Sequence, residues 1–147
     1  MRTLILALGL VALPAPARAD ACGDLIVRVV ASTEARVVKR TADFAEFTAA
    51  EGIGLTLACG ELSSVGVQFR GPSLPAGYFP LFGRAGHATT GISASEIEAA
   101  AVKARENAVT TRHSHVDAGT ALVTCSVSNY SGGLVTACAV IDKADRS

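Results

Sequence analysis

Residues 121–141 read ALVTCSVSNYSGGLVTACAVI. Apolar and small polar residues alternate along Ala121 to Ser128 and again along Leu134 to Ile141, on either side of a glycine-containing turn at Asn129 to Gly133. Alternation with period two on both flanks of such a turn specifies a β-hairpin. A hairpin centred between Ser131 and Gly132 sets Cys125 opposite Cys138 and Val123 opposite Val140. Opposed Cα atoms of a non-hydrogen-bonded pair stand roughly 4.5 Å apart, which is within bridging distance. The register therefore predicts a Cys125–Cys138 disulfide and leaves Cys22 for Cys59. Four cysteines admit two other pairings, and spacing alone does not exclude a link from the N-terminal cysteines to the hairpin.

The start of the chain agrees with bridged cysteines. Met1 and Arg2 give a positive start, Leu4 to Leu13 is an apolar run, and Ala17-Arg18-Ala19 has the small-x-small form of a cleavage site. This predicts a signal peptide over residues 1–19 and a mature chain beginning at Asp20. Disulfides persist in oxidising compartments, so the expected location is periplasmic or secreted. Lipid attachment at Cys22 is disfavoured, because the preceding residues lack a Leu-rich lipobox and include Asp20.

Residues 20–147 are enough for one globular, disulfide-stabilised domain. Losing Arg2 and Arg18 with the leader lowers the thirteen basic residues to eleven against thirteen acidic ones, a formal charge of −2. Arg36, Lys39 and Arg40 form only a small basic group, so nucleic acid is not an expected partner. No apolar stretch after the leader approaches the roughly 20 residues of a spanning helix. The apolar residues are mostly Ala and Val, with no Trp, two Tyr and five Phe. Small side chains remove little area from water at roughly 25 cal/mol per Å², so bridges usefully supplement such a core.

Outward from the hairpin, Leu25 to Ala31 is rich in β-branched residues and reads as a strand, with Val37-Val38 in a second. Phe44 and Phe47, three apart, fit one face of a short helix within Thr41 to Ala50. Ile53, Leu55, Leu57 and Cys59 alternate with smaller residues, and Val65 to Phe69 repeats the pattern, predicting an antiparallel pair. Gly71 to Gly77, with Pro72 and Pro75, is a loop leading to a short helix near 80–90 that begins at Pro80. Gly83 and Gly86 in it would let another backbone approach closely. The best-defined helix runs over about 95–108, capped by Ser95 with Glu98 or by Ser93 with Glu96. Ile97, Ala101, Ala104 and Ala108 form its apolar stripe. Thr110 to Val116 is a candidate strand. The expected fold class is α+β, a mainly antiparallel sheet of five or six strands with one well-defined helix and a C-terminal β-hairpin; an all-β sandwich is the alternative.

Three constellations bear on chemistry. In His113-Ser114-His115-Val116-Asp117, strand alternation points both imidazoles and the carboxylate to one side, a face suited to Zn or Cu with His87 as a further ligand. A solvated polar edge is the plainer reading of the same residues. The cysteines lack a Cys-x-x-Cys spacing and basic neighbours, so they are structural rather than nucleophilic. No serine lies in a Gly-x-Ser-x-Gly elbow, and Tyr78 to Phe82 is read as core rather than as a binding lip. With no catalytic residues to name and no cofactor beyond that Zn or Cu, the expected function is a small non-enzymatic accessory module. Its partner would be an envelope protein or extracellular ligand. A periplasmic metal-binding protein and an enzyme assembled from dispersed residues are the alternatives.

Overall fold

Period-two burial runs through six segments of the chain, and a seventh extended segment, Arg36–Arg40, is exposed throughout. The computed structural model describes Asp20 and residues 22–143, so the expected leader and its cleavage point lie outside the described residues. In chain order the elements are α1 (Gly23–Thr33), β1 (Arg36–Arg40), β2 (Phe44–Thr48), β3 (Gly54–Ala58), β4 (Ser64–Arg70), α2 (Tyr78–Thr90), α3 (Ala94–Thr111), β5 (His113–Ala118), β6 (Ala121–Tyr130) and β7 (Gly133–Asp142), with a 3-10 turn at Ala50–Gly52. The strands form one sheet in the order β1-β2-β3-β4-β7-β6-β5, antiparallel at every pairing. The fold is thus mixed α+β, with two strands more than the smaller expected count and three helices rather than one well-defined helix. A helix-free sandwich is excluded.

The register carries one continuous apolar row across the sheet. Ala45 opposes Leu57, Leu57 opposes Val65, Val65 opposes Val140, Val140 opposes Val123, and Val123 opposes Val116. All but Val116 are fully buried, and the row belongs to a single core cluster shared with the helices. Helix α2 contributes Tyr78, Leu81, Phe82 and Ala85, and α3 contributes Ile97, Ala101, Ala104 and Ala108. Close approach needs small residues at two points. A Cβ on Gly83 would meet the Ala94 carbonyl at 2.6 Å, and one on Gly86 would meet Ile97 at 2.8 Å. The expected close approach of another backbone is thus found at Gly83, whereas Gly86 makes room for the Ile97 side chain.

Leu25 to Ala31, expected as a strand, is the middle of α1. Its buried residues are Leu25, Ile26, Val29 and Thr33, a helical stripe, while Val27 is 67% exposed. A strand would have buried Val27 together with Leu25 and Val29. β-Branched residues disfavour helix by only tenths of a kcal/mol, and packing on α2 together with the Cys22–Cys59 bridge outweighs that preference. The converse holds for Thr41 to Ala50, where a helical turn was expected and β2 is found. Ala45 and Phe47 face the core there, and Phe44 faces the other way. Helix α3 is capped by Ser93, whose Oγ accepts the Glu96 amide at 3.3 Å, and Ser95 lies inside the helix. It also runs to Thr111, so the following strand starts at His113 rather than Thr110.

Both expected disulfides form. Cys125 and Cys138 face each other in β6 and β7 with Cα atoms 4.1 Å apart, and Cys22 reaches Cys59 at 5.3 Å. Lys143 donates its amide to Thr120 O at 3.1 Å. Bonded and non-bonded pairs alternate along an antiparallel ladder, so Cys125 and Cys138 occupy a non-hydrogen-bonded pair, where the backbones come closest. Among the described residues no helix is long and apolar enough to cross a membrane.

Candidate functional site

The helices pack on the sheet face that carries the buried row, and among the described residues the opposite face has none. Its register can be followed from edge to edge. One row runs His115, Thr124, Ala139, Gly66, Thr56, Glu46 and Lys39; the next runs His113, Ser126, Ala137, Gln68, Gly54 and Thr48. On β6 and β7 the side chains of both rows, Thr124, Ala139, Ser126 and Ala137, are small, so the surface is low there, while the two histidines stand at the β5 edge. The result is a depression of about 400 Å³ lined by His113, His115, Thr124, Ser126, Ala137 and Ala139. Both histidines are exposed, and the floor residues are half-buried.

Alternation along β5 does bring His113 and His115 to one side, as the sequence predicts. Asp117 shares that side, but Lys143 Nζ donates to its Oδ1 at 2.8 Å. That hydrogen bond, the lysine charge and the nearby His115 hold the Asp117 carboxyl below the ordinary carboxylate range. His87 stands elsewhere, on α2 in a different depression. Among the described residues no three His, Cys, Asp or Glu side chains are grouped to hold a metal ion. One chain offers two neighbouring imidazoles at this face.

His87 belongs to a cleft of about 700 Å³ between α1 and α2. Its Nδ1 lies 2.8 Å from Ile92 O. A carbonyl only accepts, so Nδ1 carries the hydrogen and Nε2 holds the lone pair of the neutral ring. Two arginines brace the same cleft reciprocally. Arg28 of α1 donates its Nε to Ala88 O at 3.2 Å, and Arg84 of α2 donates its Nε to Ser32 O at 2.9 Å. Each helix thus supplies a cation to a last-turn carbonyl of the other, where orphan carbonyls and the helix dipole favour positive charge. Sequence reading missed this pairing because Arg28 fell in the segment read as a strand. With Arg28 read on a helix, a lone basic residue in its second half was the available signal.

Two further groups are removed from chemistry by their surroundings. All four cysteines are bridged, so no thiol is available. Tyr78 is fully buried and donates to Val67 O at 2.7 Å; burial pushes its hydroxyl well above the ordinary phenol range. The expectation that the aromatic run is core holds for Tyr78 and Phe82, while Phe79 is partly buried against it, edge-on to Tyr78. Comparison of the chain with family models, with curated proteins and with solved structures finds no match.

Proposed function

We propose that the chain is an exported, non-enzymatic binding module that holds its partner on the helix-free face of the sheet. The observation that carries this reading is the depression beside β5, where small residues keep the surface low across β6 and β7 and two exposed histidines stand at its rim. Protein surfaces that combine a low, partly apolar floor with a few convergent polar groups are the usual ligand-binding places. Two disulfides support export to an oxidising compartment, periplasmic or extracellular. The partner class is another envelope protein or an extracellular ligand. Replacing Thr124 and Ala139 together by Arg fills the depression without touching the core side. A partner captured from envelope extract by the wild type should be lost by this double variant and kept by Val27→Lys on the exposed side of α1. Equal capture by all three proteins would show that the face is not used.

A second reading has its own observation, the pairing of His113 and His115 on that rim. Neutral imidazoles at this spacing suit Zn or Cu. Calorimetric titration with each metal should show binding to the wild type and weakened binding to His113→Ala; equal affinity would place any metal elsewhere. The reading as an enzyme built from dispersed residues gains no support, since His87 and His113 line separate depressions.

A further inference from the structure

Resting on the metal reading above, we infer that His113 and His115 are half of a transition-metal site that a second copy of this chain completes across the free edge of β5. The backbone makes the first part of the case. Strand β5 closes one end of the sheet order, with β6 on one side and, among the described residues, no strand on the other. Arg112 O accepts the Val127 amide at 2.9 Å, which makes Arg112 and Val127 a bonded pair in the register shared by β5 and β6. Alternation then turns the N–H and C=O groups of Ser114 and Val116 toward β6 and those of His113, His115 and Asp117 toward the open edge. The two residues that carry the imidazoles therefore also carry the edge's outward backbone donors and acceptors. His113 O receives the Thr111 hydroxyl at 2.8 Å, and a carbonyl has a second lone pair for another bond.

A two-fold axis through that edge has a register that uses all of this. With Ser114 of one copy opposite Ser114 of the other, His113 of each lies opposite His115 of the other in bonded pairs, their Cα atoms roughly 5.5 Å apart. Residues directly opposite share a face, so all the imidazoles emerge together on the helix-free side. Sliding the partner by two residues sets His113 against Asp117 instead and leaves only His115 facing its own copy, and Asp117 is held by Lys143. The donor set makes the second part of the case. Zinc takes four ligands in a tetrahedron; each chain offers two imidazoles here, and among the described residues no third ligand joins them. Two identical halves related by a closed two-fold supply the full set, in an isologous contact that ends at the dimer.

Sedimentation velocity of the purified, disulfide-intact chain tests the proposal with zinc ion alone as the probe. Chelator-treated protein should sediment as a monomer, and half an equivalent of zinc should double its mass, with one metal per two chains and reversal by chelator. His113→Ala and His115→Ala should each stay monomeric at that zinc concentration. His87→Ala should dimerise as the wild type does. A dimer that forms without zinc, or one that either rim variant still forms, overturns the shared site. So does a monomer that binds zinc through His113 and His115, a result that leaves the metal reading standing. Absence of any zinc binding overturns the shared site and removes zinc from the metal reading.

Discussion

Replacing Thr136 by Val should stabilise the protein, although it removes a polar group and adds no new contact partner. Thr136 lies on the core side of β7, between Val127 and Phe69 in register, and is 1% exposed. Its Oγ1 is buried without a hydrogen-bond partner. Desolvating a hydroxyl that forms no bond costs roughly 1–3 kcal/mol, whereas an isosteric methyl in the same place is favourable. A gain of about 1–2 kcal/mol follows, which for a domain of this size raises Tm by roughly 4–8 °C. Thr33 is the internal control. It too is buried, but its Oγ1 donates to Val29 O at 2.6 Å and accepts the Ala35 amide at 3.2 Å. Thr33→Val leaves the Ala35 amide unpaired in the core, so it should cost about 1–2 kcal/mol. Urea and thermal unfolding of the two variants with disulfides intact measures both. If Thr136→Val loses stability as Thr33→Val does, the Thr136 hydroxyl is satisfied in the native state and the reasoning is wrong.

The two bridges should contribute unequally. Cys125 and Cys138 are 13 residues apart and Cys22 and Cys59 are 37 apart, so loop entropy assigns about 3 and about 4 kcal/mol; double Ser variants of each pair, compared by urea unfolding, should keep that order. Tyr78 gives a test at high pH. Its folded value lies above the ordinary phenol value near 10, so its stabilising contribution is fully present below that pH and is lost as pH rises through the folded value. Ultraviolet phenolate absorbance should therefore have the same amplitude in folded wild type and folded Tyr78→Phe. A larger wild-type amplitude before unfolding would show that Tyr78 ionises in place.

How legible the fold was depended on whether one pattern or two fitted each segment. The hairpin from Ala121 to Asp142 was readable to the single residue, because two long alternating runs flank one turn and a one-residue slip would have thrown Val123, Cys125 and Val140 to the other face. Residues 25–31 supported both periods, since nearly every position is apolar; contact with α2, distant in sequence, decides between them. In β2 the core residues are Ala45 and Phe47, and an alanine is a faint marker beside Phe44. The histidine rim was visible from alternation alone. Missing from the sequence were the small-residue floor beside it, which needs the pairing of β6, β7 and β4, and the Arg28–Arg84 brace, which needs two helices to cross.

The order β1-β2-β3-β4-β7-β6-β5 also sets a problem of timing for the folding chain. Strands β1 to β4 are each joined to the next by short connections, and so are β5 to β7, so either meander can form from local encounters. The strands of the two meanders touch only where β4 meets β7, from Ser64 opposite Ile141 to Arg70 opposite Val135. Closing that seam brings together residues roughly 70 apart, and the entropy is lost before Val65, Val67, Cys138 and Val140 bury one another. Until the seam closes, β4 and β7 are both exposed edges with apolar faces, the state in which sheet proteins pair with the wrong strand. The Cys125–Cys138 bridge lies wholly within one meander and Cys22–Cys59 wholly on the N-terminal side of the seam. Neither bond shortens the decisive search, so oxidation can finish early and still leave the two halves to find each other.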